Sequence, residues 1–118
     1  MPPSRVLVAD DSRIFRLLVS EVLRDRGIAV VEASNGREAL DQTLSERPEL
    51  LILDEPTASL DGDTGRKIIH FVKQNILDEK RCIIIVTHDS RIFEYSDRML
   101  KMEDGSIVGI SKGGVSEE

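Results

Sequence analysis

The stretch LLILDEPTASLDGDTG, residues 50–65, decides the fold. It opens on four apolar residues, reaches the acidic pair Asp54–Glu55, and continues through Pro56 and small residues to Leu60-Asp61-Gly62. A short run that is apolar throughout, with no polar alternation, is the pattern of a strand buried on both faces. Strands of that kind belong to parallel sheets covered by helices. The stretch therefore predicts a buried strand over 49–54 that delivers a carboxylate to the rim of a parallel sheet.

Outward from there, strand and helix signals alternate. RVLVA (5–9), AVVEA (29–33), CIIIVT (82–87) and RMLKM (98–102) are further short β-branched or Leu-rich runs. Ser12 caps a helix whose Ile14, Leu18 and Val22 fall on one face with Phe15 beside them, and Gly27 stops it. A second helix starts around SNG (34–36), presents Ala39, Leu40, Thr43 and Leu44, and ends before Pro48. A third follows Asp61 or Asp63 and turns Ile68, Ile69, Val72 and Ile76 inward. A short fourth begins at Asp89–Ser90, with Ile92 and Phe93 as its apolar contacts. EDG (103–105) and SIVGIS (106–111) then read as a tight hairpin, and the tail 113–118 is expected to be disordered. The alternation predicts one α/β domain over 1–118. It is a three-layer sandwich around a flavodoxin-like parallel sheet of order 2-1-3-4-5, with an extra C-terminal antiparallel edge strand.

Composition narrows the function. Of the 118 residues 40% are hydrophobic and 32% charged, as in an ordinary globular chain, and only 3% are aromatic, so the core must be built from Ile, Leu and Val. No apolar run reaches the ~18 residues of a spanning helix, and MPPSRVLVAD lacks a signal-peptide pattern. The formal charge of -6, with no basic stripe, argues against nucleic acid as a partner. The expectation is a cytoplasmic, mostly monomeric protein with no partner, no membrane contact, and Cys82 as a buried, inert thiol. Residues 1–54 contain seven Arg and no Lys, whereas the remainder carries all five Lys and four Arg, which suggests two histories.

In a sheet of this order, ligands gather beyond the carboxyl ends of the strands where the strand order reverses. The first strand ends in Asp10–Asp11, the third in Asp54–Glu55 and the fourth in Thr87–His88. Carboxylates crowded on one rim repel each other unless a cation or raised pKa values relieve them. Hard oxygen ligands at an open site suit Mg²⁺, so Asp10, Asp11 and Asp54 are the candidate metal ligands, for weak binding. The plain alternative is that such residues, Asp11 and Asp89 especially, only cap the helices that follow them.

VLVADDS, EASNGREAL and RPELLILD carry a resemblance, over residues 5 to about 54, to the receiver domain of two-component response regulators. The resemblance implies that Asp10 and Asp11 hold Mg²⁺ and that Asp54 accepts a phosphoryl group. Thr87 falls where receivers carry a hydroxyl, and Asp61–Gly62 matches a frequent Asp-Gly after the acceptor. Residues 48 to about 110 resemble the closing part of an ABC transporter ATP-binding domain. LLILDEPTASLD is similar to its Walker B and D-loop, IIIVTHD to its switch-histidine strand, and SDRMLKMEDGSIV to its closing hairpin. That resemblance implies that Asp54 orients Mg²⁺, Glu55 polarises the attacking water and His88 senses the γ-phosphate.

Absent motifs weigh the two. No G-x-x-x-x-G-K-[ST] loop is present, and GDTGRK (62–67) has the wrong spacing, so ATP is not expected to bind and Glu55 and His88 are vestigial. Against the receiver pattern, His88 stands where a small residue usually leaves room, Glu55 adds charge, and Lys101 is no clear equivalent of the lysine that ends the fifth strand. Two families joined near residue 54 read as an engineered chimera without native catalytic activity, its acidic rim binding a divalent metal weakly. The alternative is a Mg²⁺-dependent phosphoacceptor domain working through Asp54.

Overall fold

The computed structural model describes residues 5–56, 69–70, 73–74 and 81–112. Its elements run β1 (Arg5–Ala9), α1 (Arg13–Asp25), β2 (Ala29–Ala33), α2 (Gly36–Glu46), β3 (Leu50–Asp54), β4 (Cys82–Val86), a 3-10 segment (Ser90–Tyr95), β5 (Arg98–Glu103) and β6 (Ser106–Lys112). The first four strands form one parallel sheet of order β2-β1-β3-β4. Leu7 lies opposite Val31 and Leu51, and Leu53 lies opposite Ala9 and Ile85.

Alternation along the strands sorts the two faces. Leu7, Ala9, Ala33, Leu51 and Leu53 cluster with Ala39 of α2, backed by Val31, Leu40, Ile83 and Ile85. Val6 and Val8 point the other way and are wholly buried. Glu32, paired in register with Val8, meets Arg16 and Arg24 of α1 at 3.4 and 3.7 Å, so α1 covers that second face. The result is the expected three-layer α/β sandwich.

Both helices end as their sequences direct. The Ser12 hydroxyl accepts the Phe15 N–H at 3.3 Å to start α1. Gly27, at φ 78, stops it: Gly27 N–H donates to Arg24 and Ile28 N–H to Leu23, a Schellman closure. Asn35 caps α2 through the Glu38 N–H at 2.8 Å, while the Glu38 carboxylate returns to the Ser34 N–H and hydroxyl. Arg47, left-handed at φ 48 and followed by Pro48, ends it.

Five expectations need correction. The stripe Ile14, Leu18 and Val22 is exposed, with Leu18 at 60%. The helix instead turns Arg16, Val19, Ser20 and Leu23 inward, with Arg16 paired to Glu32 of the sheet and Ser20 wholly buried. Leu44 is likewise exposed, since at about 100° per residue it lies well round the helix from buried Ala39 and Thr43.

The hairpin forms, but as a separate two-stranded sheet β5-β6, so β5 does not extend the parallel sheet and β6 is not its edge. Asp104 and Gly105, at φ 50 and 79, make the tight turn, and this short loop pairs β5 locally at little entropic cost. With Arg98, Lys101 and Glu103 along it, β5 lacks the continuous apolar run of an inner parallel strand. Cys82 is exposed rather than buried, because it shares a β4 face with Ile84 and Val86 that no described element covers.

The segment after Asp89 is 3-10 rather than α-helical, although Ile92 is buried as expected. Residues 69–70 and 73–74 are helical and Ile69 is buried. The caps Asp61 and Asp63, the inward Ile68, Val72 and Ile76, and the tail 113–118 lie outside the described residues. No helix among the described residues is long and apolar enough to cross a membrane.

Candidate functional site

β1 and β3 are parallel neighbours with Ala9 opposite Leu53, so the next residue on each strand, Asp10 and Asp54, emerges at the same end of the sheet. Asp10 is 7% exposed. Its N–H donates to the Ala33 carbonyl at 3.1 Å and its own carbonyl accepts from Arg16 at 2.6 Å. The turn into α1 is thereby fixed from both sides. Asp11, one residue on, is exposed.

The Asp54 carboxyl is held above its ordinary value. Burial is the largest cause, followed by the charge of Asp10, a side-chain hydrogen bond with Asp10, and the charges of Glu55 and Asp11. Desolvation and like charges both disfavour the ionised form, so Asp54 gives up its proton less readily than a free aspartate. Among the described residues no set of three or more His, Cys, Asp or Glu is gathered closely enough to hold a metal ion. The donor set still fits a hard cation: Mg²⁺ keeps several waters and needs only one or two carboxylates, which Asp10 and Asp54 supply, with exposed Asp11 beside them.

Glu55, whose charge also acts on Asp54, makes its own hydrogen bonds at the end of β4. Its backbone is left-handed at φ 47 and its N–H donates to the Val86 carbonyl at 2.7 Å. Its carboxylate accepts the Thr87 hydroxyl at 3.2 Å and the His88 N–H at 3.1 Å. Thr87 in turn accepts the Asp89 N–H at 2.9 Å, and the His88 side chain is exposed. The three strand ends named by the sequence therefore converge, with Glu55 tied to β4 rather than to the acidic pair.

No lysine among the described residues forms an ion pair with Asp10, Asp11 or Asp54. Lys73 reaches the Tyr95 carbonyl and Asp97, and Lys101 sits in the separate hairpin. Asp61–Gly62 and GDTGRK lie outside the described residues.

Two residues of the site do not stand out in the sequence. Arg16 carries the Asp10 carbonyl, and Glu32 orients Arg16. The signal was a single acid inside the otherwise apolar AVVEA, because a charge on a buried strand face calls for a cation partner.

Comparison with known proteins finds two kinds of relative. The profile of the family described as response regulator receiver domain matches residues 6–108. An ATP-binding protein of Staphylococcus aureus, HrtA, is 37% identical over 101 residues, covering 82% of this chain and 46% of that protein. The chain thus spans about half the length of the curated relatives it matches. Among solved structures, a receiver domain from Bermanella marisrubri superposes with a TM-score of 0.59 at 27% identity, covering 73% of this chain and 69% of that one. The chemotaxis response regulator CheY4 of Vibrio cholerae gives 0.54 at 28%, covering 75% and 71%. A dimeric ATP-binding cassette bound to ADP and Pi gives 0.56 at 29%, covering 64% and 33%. Both resemblances are real, and each reaches across more of the chain than the half its motifs occupy.

Proposed function

Because the chain belongs to the response regulator receiver domain family, we propose that it is a divalent-cation-dependent phosphoryl acceptor working through Asp54. The observation that carries the reading is the Asp10–Asp54 carboxyl pair at the adjoining ends of β1 and β3, with Asp54 destabilised as an anion by its neighbours. Asp10 and Asp11 would hold the cation, whose positive charge would offset both that repulsion and the charge of an incoming phosphoryl group.

The chemistry assigned to the chain is simple. A carboxylate oxygen of Asp54 attacks phosphorus in an acyl phosphate. A new O–P bond forms, the bond from phosphorus to the acyl oxygen breaks, and the carboxylic acid's anion leaves with the electron pair. Arg16 keeps the Asp10 backbone in position throughout by holding its carbonyl. Among the described residues no lysine pairs with the rim carboxylates, so the transfer is slow, with the cation as the main positive charge to meet the developing negative charge.

A second reading is favoured by the absence, among the described residues, of a lysine paired with the rim, and by the separation of β5-β6 from the parallel sheet. In it the chain is an engineered hybrid of receiver and ABC halves, one domain joined near residue 54, whose rim binds a cation weakly and does nothing further. Neither reading includes ATP turnover, since these 118 residues hold no G-x-x-x-x-G-K-[ST] loop to cradle the phosphates.

Incubation with Mg²⁺ and acetyl phosphate, followed by intact mass, separates the two. The acceptor reading expects one added phosphoryl mass that Asp54→Asn abolishes. An unchanged mass at every time point contradicts it and leaves the hybrid scaffold.

A further inference from the structure

The chemistry at the end of β4 deepens the acceptor reading and rests, as that reading does, on Asp54 being the phosphoryl acceptor. Val86 is the β4 residue paired with Asp54, and the next two positions, Thr87 and His88, present a hydroxyl and a backbone N–H. Those are the donors a phosphoryl group on Asp54 would call upon from this strand. Both are already taken by the two oxygens of the Glu55 carboxylate, at 3.2 and 3.1 Å.

We infer that Glu55 is an internal competitor for the phosphoryl group: its carboxylate occupies the Thr87 and His88 donors and thereby sets how readily Asp54 is loaded. A carboxylate and a phosphoryl group offer the same anionic oxygen acceptors, so the two cannot both use these donors. The backbone supports a built contact rather than a chance one. Glu55 holds φ 47, a conformation disfavoured for any side chain beyond glycine. Three hydrogen bonds hold it there, one from its own N–H to Val86 of β4 and two received by its carboxylate from Thr87 and His88 just beyond the strand. Glu55 also brings negative charge beside Asp54, which opposes arrival of a second anion. Its role is positioning and competition. It does not touch the transferred group.

The test tracks labelling by acetyl phosphate with Mg²⁺ over time, by intact mass, for the parent, Glu55→Gly, Glu55→Gln and Asp54→Asn. Glycine is chosen because φ 47 suits it, so the turn survives loss of the side chain, and matching thermal midpoints check this. Glu55→Gly should be labelled about tenfold faster than the parent, with Glu55→Gln in between, because an amide keeps an acceptor oxygen but loses the charge. A merely structural Glu55 would move the midpoint without producing that order. If Glu55→Gly is labelled at the parent's rate or slower, and the label still depends on Asp54, the competitor role is overturned while the acceptor reading stands. If no protein in the set takes an Asp54-dependent label, the acceptor reading fails and the competitor role falls with it.

Discussion

Asp54 shows how one residue can serve a site and cost the fold. Its carboxyl titrates above the 3.8 of an unperturbed aspartate because burial, Asp10, Glu55 and Asp11 all disfavour the charge. Between that unperturbed value and the raised one, the folded chain binds more protons than the unfolded chain, so stability falls as pH rises through the window. Above it the penalty is constant and complete. Asp54→Asn should therefore melt higher than the parent at neutral pH, with the gap closing as pH drops below 3.8. Paired thermal melts across pH check this, and a gap independent of pH would mean that the ionised carboxylate is not under strain. The same residue explains why the rim was legible in the sequence: acids directly after apolar strands can only sit at strand ends. Glu55 was legible as an extra charge but not as the partner of Thr87 and His88. That depends on a left-handed backbone which LDEP does not announce.

At the level of elements, local signals were reliable and facing was not. The five-residue strands, the Ser12 cap, the Gly27 stop and the Asp104–Gly105 turn all stood in the sequence, because each is decided by neighbours a few residues away. Which face of α1 lies down was not decided there. The apolar stripe Ile14, Leu18 and Val22 gave the stronger period, but Arg16 and Glu32 pair across the helix–sheet interface and rotate the other side inward. That outcome is testable by contrast. Leu7→Ala, in the buried strand, should cost about 2–5 kcal/mol through lost burial and the cavity left behind. Leu18→Lys, on the exposed stripe, should stay within about 0.5 kcal/mol in denaturant titration. A large loss from Leu18→Lys would show that the stripe is packed in solution and that α1 sits the other way round.

Over the whole molecule, the described strands divide into a parallel sheet from β2 to β4, whose ends carry the acidic rim, and a separate β5-β6 hairpin. The order 2-1-3-4 came from the alternation of strands and helices. The place of β5 did not, because a strand with Lys and Glu among its apolar residues can pair with a sheet or with its own hairpin partner, and the short Asp104–Gly105 turn favours the partner. Two likenesses meet on one strand because both need the same thing from it, a carboxylate carried to the rim. The central proposal is that Asp10 and Asp54, with Asp11 beside them, form a cation-assisted site there. A cation bound only by the folded chain adds stability as RT ln(1 + [L]/Kd), about 1.4 kcal/mol when the cation stands at about ten times Kd. The most direct measurement is the thermal midpoint with and without millimolar Mg²⁺, for the parent and for Asp54→Asn. A rise of a few degrees in the parent, much smaller in Asp54→Asn, is the predicted result; equal shifts in the two proteins would contradict a cation site at Asp54.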